Sequence, residues 1–276
     1  MQDSKPLVSV GITAYNQAQY LETAVKSACA QRYKNLEILI LNNGSQDNTL
    51  ELAHQLAATD QRIKVFHQAQ NIGNVNAFNK LFKRAKGKYY APLPADDLWL
   101  SLEKIKQQVQ YMETHPDCTL IGTFIKTINN DGSVRDYQTF ATHDADIRHK
   151  ILRTNQFSYS SLLFNTERVN RQGGFRKTYK YAEDLELWLN MGLSGSFCNL
   201  PQFMSARRMY GSNIGEQKRR EQIISALKIA KKFRHEYPGF ILAALKLSLE
   251  YLFFSLPGPI IKPLKKIKQI LSRLPQ

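Results

Sequence analysis

Through the first hundred positions, short unbroken apolar runs alternate with stretches of helical spacing. Residues 7–13, 36–41, 63–66 and 88–93 read as buried strands. Residues 20–31, with Leu21, Ala24, Val25 and Ala28 on one face, read as a helix, as do 47–58 and 75–86. Strands alternating with helices in this way predict βαβ units, crossing over right-handed around a largely parallel sheet. Beyond residue 100 the pattern loosens. Helices are expected over 101–115, 144–153 and 182–192, and strands over 118–128 and 160–164. Asn130-Asp131-Gly132 is expected as a hairpin turn and Gly173-Gly174-Phe175 as a loop.

The last sixty residues form a third region. Residues 216–237 are charged and helix-prone, and 240–256 are apolar apart from Lys246, Ser248, Glu250 and Ser255. Pro257-Gly258-Pro259 then ends any helix. The apolar run is too short and too interrupted to span a bilayer, but it leads into lysine-rich amphipathic sequence and so suits a membrane interface. A core helix with a solvated basic end is the competing reading. The expected organisation is an α/β unit over 1–215, with a nucleotide-binding half (1–100) and an acceptor-binding half (101–215), followed by a basic helical tail over 216–276.

Charge sharpens this division. The chain has 276 residues and a formal charge of +15, yet residues 216–276 alone hold thirteen Lys or Arg against four Glu. An anionic partner is therefore expected for the tail specifically. The basic excess adjoins an apolar segment and is not interleaved with a stacking platform, which argues against nucleic acid. Cys29, Cys118 and Cys198 are far apart and lack C-x-x-C spacing, so neither a disulfide framework nor a zinc site is expected, and a reducing, cytoplasmic compartment is favoured. No basic stretch leads into a long apolar run at the N-terminus, so no signal peptide is expected.

Three polar loops follow predicted strands. In Thr13-Ala14-Tyr15-Asn16, Tyr15 can stack on a base and Thr13 can bond a ribose or base. In Asn42-Asn43-Gly44-Ser45, an amide can both donate to and accept from a base edge. Asp96 and Asp97 offer the paired carboxylates that Mg²⁺ or Mn²⁺ takes together with substrate phosphates. Singly these read as a turn, a turn and a helix cap. Their order at successive strand ends, where open α/β sheets bind ligands, is what carries weight.

With these motifs the chain resembles a family 2 glycosyltransferase of the GT-A fold, over about residues 7–215. The opening strand with its Tyr15-Asn16 loop, Asn42 to Thr49, Asn71-Ile72-Gly73 with Asn79, Ala85 to Tyr89, Gly173-Gly174-Phe175 and Tyr181 to Trp188 match the family's ordered motifs. The resemblance implies inverting transfer of a sugar from a nucleotide-diphosphate donor to a hydroxyl. It places Thr13, Ala14, Tyr15, Asn43, Asn71 and Asp96 at the nucleotide, Asp97 and Asp96 at Mn²⁺ or Mg²⁺, and Asp184 as general base, with Glu183 as its rival or as an acceptor-orienting group. At a helix start the dipole favours the carboxylate form of either, so basicity must come from burial.

Several positions depart from the family's pattern. Asn42-Asn43 replaces a pair of acids, which weakens uridine specificity; Pro94 stands where a further Asp is common; Tyr210 stands where many relatives have a histidine. Arg207 or Arg208 could hold phosphate instead. The Gln-x-x-Arg-Trp motif of processive synthases is absent, so one sugar per encounter is expected, onto a growing surface glycan or lipid-linked acceptor at the cytoplasmic membrane face. A catalytically silent sugar-nucleotide or glycan-binding protein is the main alternative. A nucleotidyltransferase is disfavoured, because no glycine-rich basic loop follows the first strand.

Overall fold

The computed structural model describes residues 5–210 and 218–256. It opens with β1 (Val8–Ala14), α1 (Ala18–Cys29), β2 (Leu36–Asn43), α2 (Thr49–Thr59), β3 (Ile63–Gln68), α3 (Asn74–Phe82) and β4 (Tyr89–Pro92). These are the expected βαβ units, with boundaries shifted by a few residues. β1 and β2 are buried along nearly their whole length, as suits parallel strands covered by helices on both faces.

The second half contributes β5 (Leu98–Trp99), α4 (Lys104–Thr114), β6 (Cys118–Ile128), β7 (Val134–Gln138), α5 (Asp144–Ile151), β8 (Leu163–Asn165), α6 (Thr166–Arg171), α7 (Glu183–Gly192) and β9 (Ser196–Arg208). Among the described residues, one mixed sheet runs β3-β2-β1-β4-β8-β6-β9-β5, with β7 paired to β6. The first four strands are parallel. β8 is antiparallel to both β4 and β6, and so joins the halves into a single sheet.

Three features differ from the sequence expectation. The strand expected over 160–164 is instead a single 3₁₀ turn, Tyr159–Ser161, followed by the short β8. β9 was not foreseen: its polar stretch Pro201-Gln202 breaks the alternation, and it is held as a strand by parallel pairing along β6. β5 is two residues long and exists only because β9 runs beside it, Leu98 opposite Ala206. The hairpin turn at Asn130-Asp131-Gly132 does join β6 to β7.

Two helices follow, α8 (Arg219–Lys232) and α9 (Phe240–Ser255). Ile229, Ala230, Phe233, Tyr237 and Ala243 share one hydrophobic cluster with Leu185, Trp188 and Leu189 of α7, so α8 and the start of α9 are built into the second core. The lysine-rich segment after residue 256 lies outside the described residues.

Candidate active site

Parallel pairing brings the C-terminal ends of β1, β2 and β4 to one edge, with Ala14 opposite Asn42 and Gly11 opposite Pro92. A cleft of about 1250 Å³ opens there, lined by Thr13, Ala14, Tyr15, Asn43, Asp96, Asp97, Glu183 and Asp184. These residues come from strand ends, loops and a helix start between Thr13 and Asp184, and the sheet gathers them. Asn71 is the exception. It does not line the cleft but supports Asn43: its side-chain oxygen accepts from Asn43 Nδ2 at 3.1 Å and from the Gly73 N–H at 2.8 Å.

Asn43 is buried, and its Oδ1 accepts the Ile72 N–H at 3.1 Å. That leaves one lone pair and one N–H to face a ligand. Asn42 is turned the other way, with Nδ2 at 3.0 Å from His67 Nδ1 and Oδ1 accepting the Ser45 N–H. Tyr15 is 42% exposed at the mouth, free to stack on a flat ring.

Asp97 is 6% exposed, and its Oδ1 accepts the Arg208 N–H at 2.9 Å. The short β5–β9 pairing makes this contact possible. Tyr210 donates to Asp96 Oδ2 at 2.9 Å. Burial, reinforced by the neighbouring Asp96 charge, pushes the Asp97 carboxyl up to about 7. A buried carboxyl raised in this way, next to a second carboxylate, suits a hard divalent cation, whose charge would favour the ionised form of Asp97. Among the described residues no group of three or more His, Cys, Asp or Glu could hold a metal. An ion held by this pair would therefore take its remaining ligands from water and the oxygens of a bound diphosphate.

The two arginines separate in role. Arg208 is buried: its guanidinium donates to the carbonyls of Asp96, Asn129 and Asn130 and lies 4.7 Å over the Tyr20 ring. Arg207 is exposed in the cleft, and its charge favours the ionised forms of both Asp97 and Asp184. Of the two, Arg207 is the one placed to meet phosphate.

Glu183 and Asp184 open α7. Asp184 Oδ1 accepts the Leu185 N–H at 2.8 Å, and Oδ2 accepts from Asn155 Nδ2 at 3.1 Å. Burial raises the proton affinity of both carboxyls against the helix dipole and these hydrogen bonds. Desolvation thus outweighs the dipole, giving carboxylates better able to take a proton than exposed ones. Asn155 was not legible in the sequence, because only the chain path after α5 carries it to Asp184.

A model of glycosyl transferase family 2 matches residues 9–178. The chain belongs to that family. This glycosyltransferase, of a family that acts on nucleotide sugars, is 31% identical over 240 residues to an uncharacterized glycosyltransferase of Haemophilus influenzae, covering 82% of this chain and 73% of that one. It is 30% identical over 217 residues to the hyaluronan synthase of Pasteurella multocida, covering 77% of this chain but spanning only 21% of that much longer protein. Among solved structures, Staphylococcus aureus TarS 1–349 in complex with UDP-GlcNAc shares the fold at TM-score 0.73 and 16% identity, covering 92% of this chain and 77% of that one. Mannosyltransferase PcManGT of Pyrobaculum calidifontis, in complex with GDP-Man and Mn²⁺, does so at 0.64 and 17%, covering 99% and 77%. At such identities the likeness is one of fold, and it agrees with the expected GT-A architecture of a sheet flanked by helices.

Proposed function

We propose that this glycosyltransferase moves one sugar from a nucleotide-diphosphate sugar to a hydroxyl of a growing surface glycan or lipid-linked acceptor, with inversion. The observation that carries the proposal is the single cleft joining Asp96–Asp97 to Glu183–Asp184. Inversion is one in-line displacement: the acceptor oxygen bonds to the anomeric carbon as the bond to the diphosphate oxygen breaks. Asp184 takes the hydroxyl proton, and the diphosphate leaves with the electron pair. Asn155 and the Leu185 N–H aim the Asp184 carboxylate, Glu183 orients the acceptor, and Arg207 steadies the departing phosphates. Thr13, Ala14, Tyr15 and Asn43 receive the nucleoside.

Asp97 with Asp96 would hold Mn²⁺ or Mg²⁺, which supplies charge neutralisation at the diphosphate when bound. The nucleotide sugars held by TarS and PcManGT, and the Mn²⁺ of the latter, support this reading.

The reading extends to a membrane surface. No helix among the described residues is long and apolar enough to cross a membrane. α9 buries Ala243 and Leu247, yet its polar stripe also faces the protein while apolar side chains stay outside. Lys246 donates to the Arg153 carbonyl at 3.1 Å and Glu250 accepts from Arg219 at 2.7 Å, both turned toward the protein. Its outer face shows Ile241 at 73% exposure, Leu245 at 58% and Leu249 at 66%. An outward leucine face leading into lysine-rich sequence suits the interface of an anionic, cytoplasmic leaflet. On this reading residues 1–215 are the catalytic unit and 216–276 attach it to the membrane.

The test is a melting-temperature panel of UDP, dTDP, GDP, CDP and ADP, each with and without Mn²⁺. A ligand at about 100 times its Kd adds roughly 2.7 kcal/mol. Metal-dependent stabilisation by one diphosphate is the expected result. No response to any would favour the silent glycan-binding alternative.

A further inference from the structure

The cleft has a wall that the transfer chemistry leaves unused. Phe78 of α3, Tyr159 of the 3₁₀ turn and Phe175 after the glycine pair meet there, with ring centroids 4.7, 5.7 and 6.1 Å apart. All three line the same cleft as Asn155, Glu183 and Asp184. Phe175 is buried, while Phe78 and Tyr159 keep part of their surface open. Trp188 backs the group, edge-on to Phe175 at 5.8 Å.

Two features set this wall apart from ordinary core. It is pinned open. Asn79 donates to the Phe175 carbonyl at 2.8 Å and accepts its N–H at 2.9 Å, so that loop is clamped to α3. The turn bearing Tyr159 is held from beneath by Trp99 Nε1 on the Ser160 carbonyl at 2.9 Å and by Gln108 Nε2 on the Ser161 carbonyl at 2.8 Å. Polar atoms of the group are turned away from the cleft. The Tyr159 hydroxyl and the Trp188 indole N–H are buried with no hydrogen-bond partner among the described residues. Both lie behind the open ring faces, so the surface this wall offers the cleft is aromatic.

A partly open aromatic face beside a carboxylate and an amide has the chemistry of a sugar site. The C–H face of a pyranose lies on the rings while its hydroxyls reach the polar rim. We propose that Phe78, Tyr159 and Phe175 form the subsite for the acceptor's terminal sugar, a hexopyranose laid on Phe78 and Tyr159 with its reacting hydroxyl toward Asp184. The proposal rests on the transferase reading above. The acceptor is preferred to the donor because the wall adjoins Asp184 and Asn155, the groups that would meet the attacking hydroxyl.

The experiment is saturation-transfer NMR of the full chain with Mn²⁺ and whichever nucleoside diphosphate stabilises it in the panel above. The probes are methyl glycosides of glucose, galactose, mannose, N-acetylglucosamine and glucuronic acid. At least one should bind. Phe78→Leu keeps apolar bulk but removes the ring face, and should weaken that binding about tenfold, while Phe78→Tyr retains it. Nucleotide stabilisation should be equal in all three proteins. A nucleotide-responsive wild type that binds no glycoside, or an undiminished signal in Phe78→Leu, overturns the subsite alone. So does a Phe78→Leu protein that loses affinity for the nucleotide sugar more than for the nucleotide, which would assign the wall to the donor. A wild type that responds to no nucleotide removes the transferase reading and the subsite with it.

Discussion

Replacing Asp97 by Asn should make the ligand-free protein more stable while abolishing its response to metal and diphosphate. Asp97 is 6% exposed beside a second carboxylate, and burial and that charge carry its carboxyl from 3.8 up to about 7. The fold therefore prefers the neutral form. What this group adds to stability is fullest below the unfolded value and is lost as pH rises through about 7. At pH 8 the folded chain carries the ionised carboxylate at a cost on the order of 4 kcal/mol; at pH 5 the same linkage leaves less than about 2 kcal/mol. Asn matches Asp in shape and still accepts the Arg208 N–H, so little is lost in exchange. Water entry and relaxation reduce such penalties. If about half survives, the melting temperature should rise by about 4–8 °C at pH 8, since roughly 2–4 °C accompany each kcal/mol in a chain of this size class. Scanning fluorimetry from pH 5 to 8 measures this directly. With Mn²⁺ and the responsive diphosphate the order should reverse, the wild type gaining and Asp97→Asn standing still. A variant that melts no higher than wild type at pH 8, or whose advantage fails to shrink toward pH 5, would refute the argument that the pair is strained until an ion or substrate relieves it.

Other outcomes follow from the same geometry. Asp184→Asn should lower transfer by about 10²–10⁴-fold with nucleotide stabilisation intact; full turnover would remove it as the base. Because burial raises the Asp184 carboxyl, the acid limb of kcat/KM should fall above the ordinary aspartate range, activity being lost as pH drops and the base protonates. Asn155→Ala removes a hydrogen bond that favours the Asp184 carboxylate, so that limb should move further up in pH while nucleotide binding holds; an unmoved limb would count against the contact. Gly174 sits at φ +76, and an added Cβ would meet Asn79 Oδ1 at 2.6 Å. Gly174→Ala should thus cost about 1–3 kcal/mol, read as a lowered denaturation midpoint. Leu245→Lys with Leu249→Lys should release the protein from vesicles of phosphatidylglycerol and phosphatidylcholine without altering its melting temperature, because both side chains already face outward.

The local pattern determined the first half of this protein almost unaided. Strands alternating with helices were readable from periodicity, and crossover rules gave a largely parallel sheet; that β4 leaves β3 and returns to pair with β1 was decided by the fold. The order of the polar loops at the ends of β1, β2 and β4 pointed to residues that the fold gathers along one cleft, and the Glu183-Asp184 pair was readable as a motif. Burial and pairing across long stretches of chain were not readable. β9 contains Pro201-Gln202 and exists as a strand because β6 lies beside it, and β5 exists because β9 does. Those pairings in turn place Arg208 against Asp97 and leave Arg207 in the cleft, a division that two adjacent arginines do not announce. Asn155 reaches Asp184, and Phe78 reaches Tyr159 and Phe175, only after the chain has closed on itself. The Lys246–Glu250 stripe was visible in the sequence, but not that it faces inward, because hydrophobicity ranks side chains by their preference for water and does not say which face of a helix the rest of the fold will cover.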